Sequence, residues 1–372
     1  MKLVNPIASR PLLHTSYRSD MALLNTRTKL VTVVLLVLLG LALPMILPDP
    51  DLALLARGCV LAIGAIGLGL LTGYAGQVSL GHAFFLGVGC YTASVISGDP
   101  DGRAWGLGIT ELVVWLPAAG LVAGAVGALV APLATRLRGL YLAIVTLGLV
   151  FVGEHLFREW WEVTGGQRTG RPGPEPVLIG YPLNVTGEGF TRQQQMFWLM
   201  FILLVIFALA ARNLARSKVG RAFTAIRDRD IAAGIIGVNL FRYKTIAFAV
   251  SSFYAGCAGA LLYALLGHVN PTEFGLFLSV VFIAMVLIGG AGTISGAIAG
   301  AFFITLLPRM TEWLGGLLPF VSTRSQDTPN IFQLEAILYG VLIIAFLLFE
   351  PRGLFGIWLR IRLWWKSYPF SY

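Results

Sequence analysis

Residues 274–307 read FGLFLSVVFIAMVLIGGAGTISGAIAGAFFITLL, 34 positions from Phe274 to Leu307 without an ionisable side chain and with Gly289-Gly290-Ala291-Gly292 at their centre. A transmembrane helix needs about 20 apolar residues, so the stretch is too long for one span and barely long enough for two. Two short spans meeting at a glycine turn satisfy both lengths. Glycine-interrupted hydrophobic segments are the mark of discontinuous helices, whose unwound backbone is tolerated at membrane depth only where it is buried or lines a cavity. The stretch therefore predicts a pathway element within a bilayer. An echo of it lies 216 residues earlier: Gly73-Tyr74-Ala75-Gly76-Gln77-Val78-Ser79 matches Gly289 to Ser295 at Gly, Ala, Gly, Val/Ile and Ser. Duplicated broken helices build transport sites near the bilayer midplane, and that is the expectation for this pair.

The rest of the chain agrees with a membrane setting. Its 372 residues are 57% hydrophobic and 12% charged, against about 25% charged in soluble domains. The predicted fold class is an all-α polytopic membrane protein with about ten transmembrane segments, some of them short or broken at glycines. Runs at Leu30–Leu47, Leu52–Thr72, Val78–Ser97, Leu112–Thr135, Gly139–Phe157, Met196–Ala211 and Thr245–Leu266 precede the two spans of the opening stretch, and Ala336–Phe349 follows them. The first run is longer than a signal-peptide core and lacks a small-residue cleavage site, so it reads as a retained span. Residues 1–29 form a polar, basic segment before the transmembrane region 30–349, and 350–372 form a tail in which Trp358, Trp364 and Trp365 alternate with Arg360, Arg362 and Lys366, as in a segment at the lipid interface.

Two loops stand out. The segment 158–195 holds Pro172, Pro174, Pro176 and Pro182, too many for one regular helix. The segment 212–244 is strongly basic. Counting Lys and Arg on alternate sides of ten spans places 19 on the side of both termini and of 212–244, and 8 on the other. That side is therefore cytoplasmic, giving both termini inside. Net charge divides as +15 inside and −6 outside, so the overall +9 calls for no nucleic-acid partner.

Within the basic loop, Phe223, Ile226, Ala233 and Ile236 approximate one helical face, with Arg227 and Arg229 on the polar side. Ala232 and Ala233 keep the surface slim, and Gly237 permits a sharp exit. A loop of this length between two spans predicts a docking partner. The pattern Ala232-Ala233-x-x-x-Gly237 resembles the coupling helix of ABC-transporter permeases, although the acidic residue usually found before the two alanines is here Ile231, with Asp230 one place earlier.

Further motifs make the resemblance specific. Gly73-Tyr74-Ala75-Gly76-Gln77-Val78-Ser79-Leu80-Gly81-His82-Ala83, Arg136-Leu137-Arg138-Gly139-Leu140-Tyr141, Thr164-Gly165-Gly166, Gly237-Val238-Asn239 and Pro351-Arg352-Gly353-Leu354 occur in the order seen in the permease family of branched-chain amino acid ABC importers, LivM type. The likeness spans about residues 50–356. It implies a heterodimer with a second permease, two ATP-binding cassette subunits inside that use ATP and Mg, an extracytoplasmic solute-binding protein, and a home in a bacterial or archaeal cytoplasmic membrane. This chain itself would bind no cofactor. Similar permeases serve other amino acids and small amides, so the solute stays open between these.

The candidate pathway residues are Gln77, Ser79, His82, Gly289, Gly292 and Ser295; the candidate ATPase-coupling residues are Phe223, Ile226, Arg227, Asp230, Ala232, Ala233 and Gly237. Each has a plainer reading. Gln77 and Ser79 can bond across packed helices, and His82 can be a neutral core imidazole. Arg57, Glu154, His155 and Glu335 fall near span ends and read as snorkelling side chains. Ala255, Gly256, Gly259 and Ala260 have small-residue spacing for close helix packing. Cys59, Cys90 and Cys257 lie in apolar runs and read as packing residues. No Gly-x-x-x-x-Gly-Lys-Ser/Thr loop, His-Glu-x-x-His motif, Gly-x-Ser-x-Gly turn or intramembrane carboxylate pair occurs, so neither ATP binding nor intramembrane catalysis is expected of this chain. An ion-coupled carrier would need ionisable groups along its path, and His82 alone lies deep within a predicted span.

Overall fold

The computed structural model describes residues 27–137, 139–166, 170–183, 189–317, 331–350 and 352–367. The N-terminal segment up to residue 26, Arg138 and Pro351 of the motifs above, and the side chain of Glu335 lie outside what is described. Contacts divide the chain into two units, Met1–Leu43 and Pro44–Tyr372. The described part of the first unit is one apolar helix, α1 (Arg27–Ala42).

The second unit is a helical bundle: α2 (Asp49–Leu68), α3 (His82–Ser97), α4 (Leu112–Arg136), α5 (Leu140–Glu159), α6 (Arg192–Arg216), α7 (Lys218–Ile235), α8 (Leu240–Leu266), α9 (Leu276–Gly289), α10 (Ile294–Leu317), α11 (Ile331–Phe349) and α12 (Gly353–Ser367). Among the described residues, six helices are long and apolar enough to cross a membrane: Asp49–Tyr74, Leu112–Leu133, Leu140–Glu159, Arg192–Arg216, Leu240–Leu266 and Ile294–Thr311. Four apolar helices are shorter: Val33–Met45, His82–Ser97, Leu276–Gly289 and Ile337–Phe346.

Local chemistry sets the helix ends. Asp49, Pro50 and Asp51 open α2, placing carboxylates on the positive end of the helix dipole and proline where its missing N–H is not needed. Thr191 and Gln194 close a reciprocal capping box on α6. Asn239 caps α8, which ends at Gly267 in the left-handed region, φ +80°.

α2 and α8 form the centre of the bundle. α2 packs on α6, α8, α9 and α10, and α8 packs on α2, α3 and α4. The small residues of α8 make this approach possible. A methyl group on Gly256 would stand 2.5 Å from Ala123 Cβ of α4, and one on Gly89 of α3 would run into the Gly256 backbone. The packing reading of that stripe is thus what the structure shows. All three cysteines are buried and unpaired with one another. By contrast α4, α5 and α6 turn large apolar side chains outward, among them Leu121, Leu129, Val152 and Ile206. Such a surface has bilayer hydrocarbon as its natural solvent.

Two expectations need correction. The run expected from Val78 becomes helical only at His82; residues 75–81 are irregular. The stretch expected as two short spans is one short helix, α9 with 14 residues, and one long one, α10 with 24, which continues through Pro308 and Arg309. Arg309 is accommodated because it lies at the bundle end, 3.2 Å from the Asp51 carboxylate. The proline-rich loop carries unexpected order: a helical turn at Trp161–Thr164, a ribbon pairing Arg171–Pro172 with His268–Val269, and a second pairing Val177–Leu178 with Tyr181–Pro182. Its anchor is Arg171, buried, whose guanidinium donates to the carbonyls of Ser94, Val163 and Trp105. That seats a cation on the carboxyl end of α3, and burial lowers its pKa below the usual guanidinium range.

Candidate functional site: a junction of two glycine breaks

α2 does not stop at Leu68. It passes into a π-helical turn, Gly69–Tyr74, closed by Ala75 N donating to Leu70 O at 3.1 Å, and only then loses regular structure. The second break runs from Gly290, φ +117°, to Thr293, whose hydroxyl accepts from Gly296 N at 3.2 Å and so caps α10. The two echoing segments share a backbone detail: Gly76, φ +66°, and Gly292, φ +83°, occupy matched positions and are both left-handed. Only glycine adopts this without strain.

The breaks touch. A methyl group on Gly73 would strike the Gly292 amide and stand 2.7 Å from its Cα. The tail motif closes the other side of the second break, since a Cβ on Gly290 would lie 2.6 Å from Arg352 O and one on Gly353 2.5 Å from Ile288 O. Two backbone segments separated by 216 residues are therefore packed with no side chain between them.

α7 packs across α6, α8 and the π-helical turn. Ser217 caps it, accepting from Val219 N at 3.1 Å. Phe223 is buried in an apolar cluster with Leu71, Ala75, Ala131, Leu142 and Phe248, which joins α7 to the end of α2 and to α4, α5 and α8. Beyond it, Arg227 Nη1 donates to Gly73 O at 2.9 Å, while Nε of the same guanidinium bonds Asp228 at 3.0 Å. A Cβ on Gly76 would meet Arg227 Cγ at 2.9 Å, so the arginine stem lies directly on the first break. Arg227, expected on the polar side of α7, is exposed there, yet its Nη1 reaches inward to the first break.

The expectation of one continuous apolar face on this helix is corrected. At Arg229 the backbone leaves helical geometry, φ −156° and ψ 96°. Phe223, Ile226 and Ala233 are buried, but Ile236 is 76% exposed, because the kink and the helix end at Ile235 break the phase. Ile231 and Ile235 are also exposed, at 64% and 82%. Ala232 is exposed beside them, and Gly237 has φ +91°, with open space for 4 Å around the point where a methyl group would stand.

Beside the kink lies a polar cavity of about 310 Å³ lined by Gln77, Gly139, Arg227, Arg229, Asp230 and Lys244, among others. Gln77 donates to Ala75 O at 3.2 Å and so faces its own break. Lys244 is 3% exposed and 4.0 Å from the Asp230 carboxylate. In the sequence Lys244 counts only toward orientation; its place in the basic loop is the available signal, but nothing local announces its burial.

The other candidates separate. Ser79 Oγ accepts from Gly81 N at 3.2 Å. His82 is buried at the start of α3, its ring 4.8 Å from that of Phe282, and its Nε2 has no hydrogen-bond partner among the described residues. Gly289 is buried, whereas Ser295, the counterpart of Ser79, is exposed. Gly76 and Gln77 share one cavity with α7 and with Gly139 between α4 and α5, so the first break lies beside the end of α4 and the start of α5. The 14 residues of α9 rise only about 21 Å to reach the second break.

Comparison with known proteins identifies the family. Residues 52–347 match the family described as branched-chain amino acid transport system permease component. The chain is 30% identical over 344 residues to the high-affinity branched-chain amino acid transport system permease protein LivM of Escherichia coli K12, covering 88% of this chain and 75% of that protein. It is 29% identical over 335 residues to LivM of Salmonella typhimurium LT2, covering 86% and 73%. The autoinducer 2 import system permease protein LsrC of Enterobacter sp. 638 is 28% identical over 295 residues, covering 76% and 71%. No solved structure matches. On the family match across most of its length, this chain belongs to the branched-chain amino acid transport permease family, as a non-catalytic ABC-transporter permease subunit that crosses the inner membrane several times.

Proposed function

We propose that this chain forms half of the translocation pathway of an importer for branched-chain or related amino acids, with a second permease completing the path and two ATP-binding subunits driving it. The observation that carries the reading is the C-terminal end of α7, where Ile231, Ile235 and Ile236 are exposed apolar side chains within the basic loop 212–244. Burying each such side chain is worth about 1.5–3 kcal/mol, so a groove on an ATP-binding subunit would gain substantially by covering them. In this reading the α7 end is cytoplasmic by its Lys and Arg excess, ten segments cross the bilayer within 30–349, both termini are inside, and 212–244 is the coupling loop. The 158–195 loop then faces the solute-binding protein, and α12, with Trp358, Trp364 and Trp365 exposed, rests at the inner lipid interface.

For the solute path, the exposed Ser295 and the partly exposed Gly292 are the members of the candidate set open to a partner surface; Gln77, Ser79, His82 and Gly289 would act by shaping the breaks behind it. A second reading, a permease for a different small polar solute, has the likeness to LsrC in its favour. Ile235→Asp tests the main proposal. Placing a carboxylate among these isoleucines should abolish co-purification of the ATP-binding subunits while leaving the membrane level of the chain unchanged, and undiminished co-purification would refute the docking assignment. Solute competition on the purified binding protein decides between the two solute classes.

A further inference from the structure

We infer that Arg227 is the positioning residue that ties α7 to both glycine breaks, so that the coupling helix and the two breaks move as one body. The inference rests on the function proposed above and adds the route by which a push on α7 reaches the spans. The guanidinium is held on two edges. Its Nε and Nη2 face Asp228 at 3.0 Å each, and its Nη1 bonds the Gly73 carbonyl at 2.9 Å. Arginine alone offers a rigid planar fork of donors able to span two acceptors in this way; a lysine ammonium is a point charge on a flexible stem.

The bonded carbonyl belongs to the residue whose backbone touches Gly292, and Arg227 Nη1 lies 3.3 Å from where a Gly292 side chain would begin. One cation therefore meets the first break directly and the second through a backbone contact. Gly76 adds a steric seat, with room for the Arg227 stem only because it lacks a Cβ. The exposed Ile231, Ile235 and Ile236 lie on the other side of the kink at Arg229 from Arg227. Docking and transmission thus fall to different parts of α7.

Two experiments separate this inference from its parent. In the purified chain, Arg227→Gln should speed hydrogen exchange at the amides of 73–81 and also of 289–296, by at least about tenfold, the loss expected for one hydrogen bond to a charged group. Gly76→Ala, which keeps the charge but displaces the arginine stem, should do the same, and Arg227→Lys should not restore protection. Wild-type exchange at the second break in both Arg227→Gln and Gly76→Ala would overturn the inference, whatever the partners do. In the reconstituted importer, Arg227→Gln should retain its ATP-binding subunits yet consume at least about tenfold more ATP per solute moved. Loss of those subunits would make Arg227 a docking contact and also overturn it. Failure of the wild-type chain to bind any ATP-binding subunit would sink the proposed function, while the exchange result would still judge the tie between the breaks.

Discussion

Gly73→Ala is the sharpest probe of the junction. The added methyl would strike the Gly292 amide and stand 2.7 Å from Gly292 Cα and 3.2 Å from Ala291 C. Carbon atoms in contact prefer about 3.5–4.0 Å, so the two segments must part by about 1 Å. All three nearest atoms are backbone, so no side chain can rotate away. Overpacking of this kind costs about 1–3 kcal/mol. The same movement stretches the 2.9 Å bond from Arg227 to Gly73 O past useful range, and a hydrogen bond to a charged group contributes about 1.5–3 kcal/mol. These terms share one displacement and are not additive, so about 3 kcal/mol is the expected loss. At ~2–4 °C per kcal/mol for a large chain, thermal melting in detergent should fall by about 6–12 °C. Gly148→Ala is the control, because that glycine is exposed within α5 and a methyl there meets nothing within 4 Å; it should melt at or slightly above wild type, since alanine favours helix by about 1 kcal/mol. Equal melting and equal transport in Gly73→Ala and Gly148→Ala would refute the contact between the breaks.

Two more outcomes follow from the packing. Gly256→Leu should abolish a monodisperse, cooperatively melting protein, since even its Cβ would stand 2.5 Å from Ala123 Cβ; a normal elution profile would contradict the α4–α8 approach. Arg171→Gln leaves the carbonyls of Ser94, Val163 and Trp105 without their donor, costs about 1.5–3 kcal/mol, and should expose the 158–195 loop to protease well before the helices. Unchanged loop cleavage would count against Arg171 as its anchor.

Whatever depends on composition and period is legible in the sequence. The apolar runs, the glycine interruptions at 73–76 and 289–292, and the helical loop around Phe223 and Ile226 are local patterns; the structure has the two interruptions and the loop helix in place, and shifts the start of the run at Val78 to His82. What is not legible has non-local causes. Arg227 sits on the polar side of its helix by period, yet its target is a carbonyl 154 residues away. Ile236 fits the apolar face only if the helix stays regular through Arg229, and it does not. Lys244 and Arg171 look like ordinary loop cations; their burial depends on elements far along the chain.

By itself, then, the sequence determined that this chain is a helical membrane protein, that two similar segments break at glycines, and that a basic loop carries an amphipathic helix, because hydrophobic length, glycine's freedom at positive φ and charge asymmetry are properties of short windows. Only the tertiary structure decided that the two breaks meet each other, beside α7, with Arg227 on the first of them. Residues such as Gly73 and Gly292 carry no side chain to signal a partner, so their contact arises from the packing of α2, α9 and α10 and exists only once those helices are assembled.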